Sequence, residues 1–274
     1  MIHRRATLAE LGQVLDWAAE EGWNPGLDDA AAFYAADPDG FFVTEIGGQP
    51  VAAISVVNHS DEYAFLGLYI CRPEHRSTGV GFALWQFALE HAGKRTVGLD
   101  GVPAQEANYA RSGFVLAGRT QRLCGHMVPE EPTFPLATPD DFTALAQLDA
   151  AANGVSRPRF LRAWLESGAT RKTVVLRDGD TMTGFATART CRTGCKIGPI
   201  VAADADDAHR LARQAAAALA DPHVTIDTPD PAGPFADLLR QDGFTQNFST
   251  ARMFRGNAPT PGKTLQAVAS LELG

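Results

Sequence analysis

Six consecutive residues, Arg76-Ser77-Thr78-Gly79-Val80-Gly81, have the types and the order to hold a phosphate. They stand between an apolar run that stops at Cys71 and a helical pattern expected from about Phe82 to His91. A helix start presents backbone N–H groups without partners and the positive end of the helix dipole, so an anion fits there. Glycine lets the backbone approach a phosphate with no Cβ in the way. Arg76 can add a charge-assisted hydrogen bond. The stretch therefore reads as a cradle for a diphosphate. It is not the dinucleotide fingerprint, because Leu84 stands where the third glycine belongs. The nearest approach to a nucleoside-triphosphate loop, Gly256 with Gly262-Lys263-Thr264, is one residue too long and holds two prolines, so it reads as a tail.

The surrounding elements must hold this loop in place. "IHRRAT" reads as a strand, and Thr7 with Glu10 makes an S/T-x-x-E capping box before a helix with Leu8, Leu11, Val14, Leu15 and Ala18 at helical spacing. "WNPGLDD" is a loop and "AAAFYAA" a short helix. "FFVTEI", "VAAISVVN" and "EYAFLGLYIC" read as strands, the first two joined by a tight glycine turn. After the loop and its helix come the strand "TVGLD", a short helix in "QEANYARS" and a closing strand region, "FVLAGRTQRLCGHMV".

"PEEPTFP", from Pro129 to Pro135, is linker-like, and behind it the pattern starts again. "GLYI" at Gly67 falls on "GPIV" at Gly198, "VGLD" ending at Asp100 on "VTID" ending at Asp227, and "ARSGF" on "RQDGF", each about 130 residues apart. The chain reads as a duplication: residues 1–128, a linker at 129–136, and residues 137–274. The second copy carries "VAADADDAHR" where the first has its glycine loop. Its three aspartates would repel a diphosphate at a helix start but suit a capping turn. This half is expected to have lost the phosphate site and to wall off the acceptor pocket or stabilise the first half.

The residues Arg76-x-x-Gly79-x-Gly81 behind "LYICRPEH" resemble the Q/R-x-x-G-x-G/A motif of the Gcn5-related N-acetyltransferases, the GNAT superfamily. Residues 1–128 match that family's order of elements throughout, and the second half matches the order alone. "GLDGVPAQ", "NY" and "SGF" between Gly98 and Phe114 resemble a tandem bacterial subgroup. The implied fold is α/β (α+β with a mixed sheet), as two tandem domains, each a mostly antiparallel, splayed sheet flanked by helices.

The resemblance implies an acetyl-coenzyme A-dependent N-acetyltransferase that passes an acetyl group to a small-molecule amine by direct attack. Backbone amides of Ser77, Thr78, Gly79, Val80 and Gly81 would hold the pyrophosphate with Arg76. Leu68, Tyr69 and Ile70 would pair with the pantetheine arm as an added strand. An N–H near Tyr69 would polarise the thioester carbonyl, and one such donor is typically worth about 3 kcal/mol. Tyr109, four residues before Gly113-Phe114, would be the general acid for the leaving thiolate, although Val102 stands where the family often has Asn. Asp100 is a candidate general base, beside Asp61, Glu62 and deprotonation through water. Trp23 and Asn24, in the connection that covers the acceptor site in this family, are candidate substrate contacts. Trp23 filling the core and Asn24 making the turn is the competing reading. A non-catalytic sensor of acetyl-coenzyme A or another acyl-coenzyme A is the alternative function.

Composition bounds the rest. A net charge of −8 offers no excess of Lys or Arg to displace counterions, so no nucleic-acid partner is expected. No apolar run is long enough for a membrane span, and the N-terminal arginines precede no apolar stretch, so a cytoplasmic protein without membrane contact is expected, as a monomer or homodimer. Cys191 and Cys195 flank "RTG", which reads as a hairpin tip, but no further His or Cys lies close in sequence, so no metal is expected.

Overall fold

The computed structural model describes residues 1–128, 130–230 and 232–274. The expected linker starts at Pro129, which lies outside the described residues. The first half runs β1 (Ile2–Arg5), α1 (Leu8–Glu20), α2 (Asp29–Ala36), β2 (Phe41–Ile46), β3 (Gln49–Asn58), β4 (Tyr63–Cys71), α3 (Val80–Leu89), β5 (Thr96–Gly101), α4 (Glu106–Arg111) and β6 (Val115–His126). The second half repeats the order from α1 onward: α5 (Phe142–Asn153), α6 (Pro158–Trp164), β7 (Arg171–Asp178), β8 (Thr181–Thr190), β9 (Cys195–Val201), α7 (Ala205–Leu219), β10 (His223–Thr228), α8 (Pro234–Gln241) and β11 (Thr245–Arg255). A short β12 (Leu265–Ala267) follows.

Local chemistry accounts for the element ends. The Thr7/Glu10 capping box forms in full, and Leu11, Val14, Leu15 and Ala18 turn inward. Gly47 and Gly48 both take positive φ, which the two-residue hairpin between β2 and β3 requires. Helix α3 starts at Val80, two residues before the sequence pattern suggests. Gly79 supplies the left-handed turn that starts it, at φ 86°, so Gly81 lies in the first helical turn.

The strands form one mixed, mostly antiparallel sheet in the order β1-β2-β3-β4-β5-β11-β6-β10-β9-β8-β7. The parallel pairs are β4 with β5 and β9 with β10. The last strands of the two halves are exchanged. Strand β11 lies beside β5 and completes the first half's sheet, while β6 lies beside β10 and completes the second's. The two exchanged strands also pair with each other, from Thr245 opposite Cys124 to Phe254 opposite Val115. Alternation along "FVLAGRTQRLCGHMV" identifies a strand but not its neighbour, because pairing partners are set by contacts far away in sequence.

One face of the sheet carries a core shared by both halves, where α1 and α2 meet α5 and α6; Phe33 and Trp164 stack there at 5.8 Å between ring centres. On the other face α3 packs on the first half and α7 with α8 on the second. Burying such rings contributes roughly 1.5–3 kcal/mol each relative to exposure. Buried ion pairs add links between halves. Asp29 of α2 meets Arg171 at 2.9 Å and also Arg189, and Arg122 of β6 meets Asp227 of β10. Among the described residues no helix is long and apolar enough to cross a membrane.

Candidate active site

Strands β4 and β5 pair from Tyr63–Leu66 with Thr96–Leu99 and then part. A bulge assists the parting: Ser55 faces Gly67 and Ala53 faces Ile70, so Leu68 and Tyr69 together oppose one residue, and Leu68 takes φ 46°. A cavity of about 630 Å³ opens where the strands diverge. Of the residues expected to bind the cofactor, Leu68, Tyr69, Arg76, Ser77, Gly79 and Gly81 line it. Ile70 and Val80 are instead buried in the packing, and the Thr78 hydroxyl donates to the His75 carbonyl at 2.6 Å.

The loop has the form of an anion cradle. Ser77 (φ 60°) and Gly79 (φ 86°) both lie in the left-handed region, and no side chain caps the N–H groups at the start of α3. Gly81 is needed for room, since a Cβ there would lie 2.7 Å from the Tyr69 hydroxyl oxygen. Arg76 is less free than its sequence position suggests. Its Nε donates to the Cys71 carbonyl at 2.9 Å and its Nη2 pairs with Glu21.

Tyr109 is held over the end of β5. Its ring stacks on Trp85 at 5.6 Å and lies so close to Gly101 that a Cβ there would be 2.1 Å from Cε2. It lines the cavity, its hydroxyl donates to no described residue, and burial pushes the phenol up to about 12. It therefore stays protonated through the neutral range.

Asp100 also borders the cavity, but its oxygens are occupied within the sheet. Thr250 and Thr120 donate to it at 3.0 and 3.2 Å, and Arg252 of the exchanged β11 pairs with it. Burial pushes its carboxyl up despite Arg252. The carboxylate offered by the sequence as a base is thus engaged as a strap between β5 and β11. Asp61 and Glu62 lie outside the cavity lining.

Trp23 joins this cavity to a second one of about 410 Å³, which also shares Arg122 and Phe248 with it. The Trp23 carbonyl accepts from buried Lys196 Nζ at 2.7 Å and from Arg122 Nη1 at 3.2 Å. Asn24 lines the second cavity and is pinned to the other half: its Nδ2 donates to the Thr193 carbonyl at 2.8 Å, and Thr193 N–H donates back at 3.2 Å.

Residues that sequence reasoning missed come from the second half and its tail. Phe248, Thr250, Leu271 and Glu272 complete the first cavity's wall. Phe248 and Thr250 arrive through the strand exchange, which nothing local announces. Glu272 had one visible signal, as a lone acid in the apolar run "AVASLELG".

The second half's corresponding cleft differs. Asp204 caps α7 by accepting from Asp207 N–H at 2.9 Å, so this helix start is satisfied internally, as the acidic run suggests. A bulge also occurs between β8 and β9, one residue earlier, where Gly198 and Pro199 together oppose Thr187; Pro199, the counterpart of Leu68 in sequence, has no N–H. Strand β12 pairs with β9 beside it, Leu265 facing Val201 and Ala267 facing Ile200.

A family model described as the acetyltransferase (GNAT) family matches residues 8–114, and one described as an acetyltransferase (GNAT) domain matches residues 145–267. Holothin acyltransferase of Pseudoalteromonas sp. (strain SANK 73390) is 37% identical over 98% of this chain and 93% of its own length. A solved structure from Pyrococcus horikoshii, of a protein proposed to be an acetyltransferase, superposes with a TM-score of 0.82 over 100% of this chain and 95% of that one, at 20% identity. A tandem GNAT protein from the clavulanic acid biosynthesis pathway superposes with a TM-score of 0.61 over 96% and 99%, at 14% identity. At those identities the two structures speak for the fold alone.

Proposed function

Since the chain belongs to the GNAT acyltransferase family, as two GNAT domains in tandem, we propose that it transfers an acetyl group from acetyl-coenzyme A to the amine of a small molecule, in the cleft between β4 and β5. The observation that carries this reading is the uncapped start of α3, behind two left-handed residues, opening on the same cavity as Tyr109. The fit to a diphosphate-bearing thioester rests on that cradle, where Gly79 leaves open space around its Cα and Gly81 clears Tyr69. When bound, acetyl-coenzyme A supplies an activated acyl group.

The chain's own residues would do the following. N–H groups at Ser77 to Gly81 hold the phosphates, with the helix dipole behind them. The bulge at Leu68 and Tyr69 turns backbone toward the cavity, where an N–H can stabilise charge on the acyl oxygen. Tyr109 holds its proton at Oη until the departing sulfur needs it. Trp23 and Phe248, from opposite halves, shape the passage for the acceptor between the two cavities.

We take residues 1–128 as the catalytic copy, 137–274 as a copy without a phosphate loop, and residues 129–136 as the connection. The relative's activity makes holothin the first acceptor to test. Purified protein with acetyl-coenzyme A and holothin, beside a panel of primary amines, should release free coenzyme A above the rate without acceptor. No release with any acceptor, and no transfer from longer acyl-coenzyme A donors, contradicts the reading.

A further inference from the structure

The last eleven residues lie across both clefts of the duplication. In the second half β9 and β10 pair from Cys195–Ile197 with Val224–Ile226 and then part, as β4 and β5 do. The tail enters that gap. Ala202 N–H donates to Thr264 at 3.0 Å, β12 pairs with β9, and Val268 N–H donates to the Asp227 carbonyl at 3.0 Å. It then crosses to the first half. A Cβ on Gly198 would lie 2.1 Å from the Val268 carbonyl oxygen, and one on Gly67, its counterpart, 2.0 Å from that of Glu272. Both equivalent glycines are thus required by the same passing segment.

The tail is fixed on the way. Arg189 Nη2 donates to the Ala269 carbonyl at 3.1 Å, His59 Nε2 to that of Leu273 at 2.8 Å, and Leu273 N–H to Ser270 Oγ at 3.0 Å. This path delivers the Glu272 side chain, 5% exposed, to the cavity wall with Trp23, Arg122 and Phe248. Of the two carboxylates on that wall, Asp100 is consumed by Arg252 and two threonines, while Glu272 forms no hydrogen bond or ion pair with any described residue. Three cations feel its charge: Arg122 and Arg189 are paired with Asp227 and Asp29, and buried Lys196 donates to the Trp23 carbonyl. A buried carboxylate costs several kcal/mol unless something binds it.

We propose that Glu272 is the catalytic carboxylate that receives the acceptor's ammonium group and takes its proton. The assignment rests on the acetyltransferase reading and deepens it. One proton passes from the ammonium to a Glu272 oxygen. The freed lone pair forms the C–N bond to the acyl carbon, and the C–S bond breaks with its electron pair on sulfur. The thiolate takes the Tyr109 proton, the second proton lost by nitrogen restores the phenol, and the Glu272 proton leaves to solvent.

Glu272→Gln keeps the shape and removes the base. Its kcat/KM for an accepted amine should fall by about 10²-fold or more, as for a lost general base. Its affinity for acetyl-coenzyme A should be unchanged. Glu272→Asp should recover part of the loss, and serves alone if the Gln variant does not fold. Wild-type turnover with an unaffected Gln variant overturns the assignment while leaving the acetyltransferase reading intact. If the wild type turns over no amine, that reading fails, and titration with n-butylammonium chloride against equal sodium chloride decides the residue separately. Stabilisation of the wild type alone supports Glu272; equal shifts in both proteins, or none in either, overturn it.

Discussion

Arg122 on β6 grips Asp227 on β10 with two hydrogen bonds, Nε at 2.7 Å and Nη2 at 2.8 Å. About 130 residues further on, Arg252 on β11 stands in register with Asp100 on β5 and pairs with it. Each arginine therefore meets the aspartate of the other half, and the strand exchange is closed by the same buried pair twice. Removing one partner leaves a buried charge without compensation. Arg122→Met should cost about 3–5 kcal/mol in urea denaturation, and adding Asp227→Leu should restore much of it. Asp227 lies below the usual carboxylate range because Arg122, Lys196 and Arg189 outweigh its burial. Its share of stability is present above that range and lost as pH falls through it. Melts between pH 5 and pH 3 should show a smaller loss in the double variant than in the wild type.

His59 gives a second pH dependence, one that begins at higher pH. Burial and the nearby Arg157 charge push its ring down to about 4, while its Nε2 donates to the tail at Leu273. An imidazole held neutral in the fold is protonated more readily once unfolded. Its contribution is present above pH 6.5 and lost between 6.5 and 4, on the order of 3 kcal/mol in all. His59→Gln should flatten the stability curve over that interval; an unchanged slope contradicts it.

Tyr109→Phe should lower kcat by about 10²-fold or more while leaving acetyl-coenzyme A binding intact. With the phenol at about 12, the wild type's kcat should show no loss from its ionisation between pH 7 and 10. A sensor without turnover would be indifferent to the substitution.

Gly101→Ala tests the same residue through its support. The added methyl meets the Tyr109 ring at 2.1 Å, so ring or strand must move. Overpacking of this kind costs roughly 1–3 kcal/mol. The variant should melt lower and lose kcat more than affinity for acetyl-coenzyme A; full activity would show that the ring's placement is immaterial.

The loop proposed to hold phosphate is legible in the sequence because it is local: two glycines, a strand before and a helix after fix both the turn and the uncapped helix start. The duplication is legible because Gly67, Asp100 and Gly113 recur in order as Gly198, Asp227 and Gly243. The partners of those residues are not legible. Arg252 reaches Asp100 across 152 residues, and Glu272 reaches Gly67 across more, through contacts that no periodicity encodes. Asp100 therefore reads as a free acid at a strand end until β11 is set beside it. The tail reads as a tail because β12 has three residues, too few to show alternation.

The central claim is that a duplicated fold keeps one acyl-donor cleft open and fills the other with its own chain. Calorimetric titration of the whole protein with acetyl-coenzyme A tests it directly. The account predicts one equivalent bound per chain, with affinity reduced at least tenfold by Gly79→Val, where a branched side chain opposes the left-handed turn, and unchanged by Asp204→Asn at the start of α7. Two equivalents, no binding, or a single equivalent indifferent to Gly79 would contradict it.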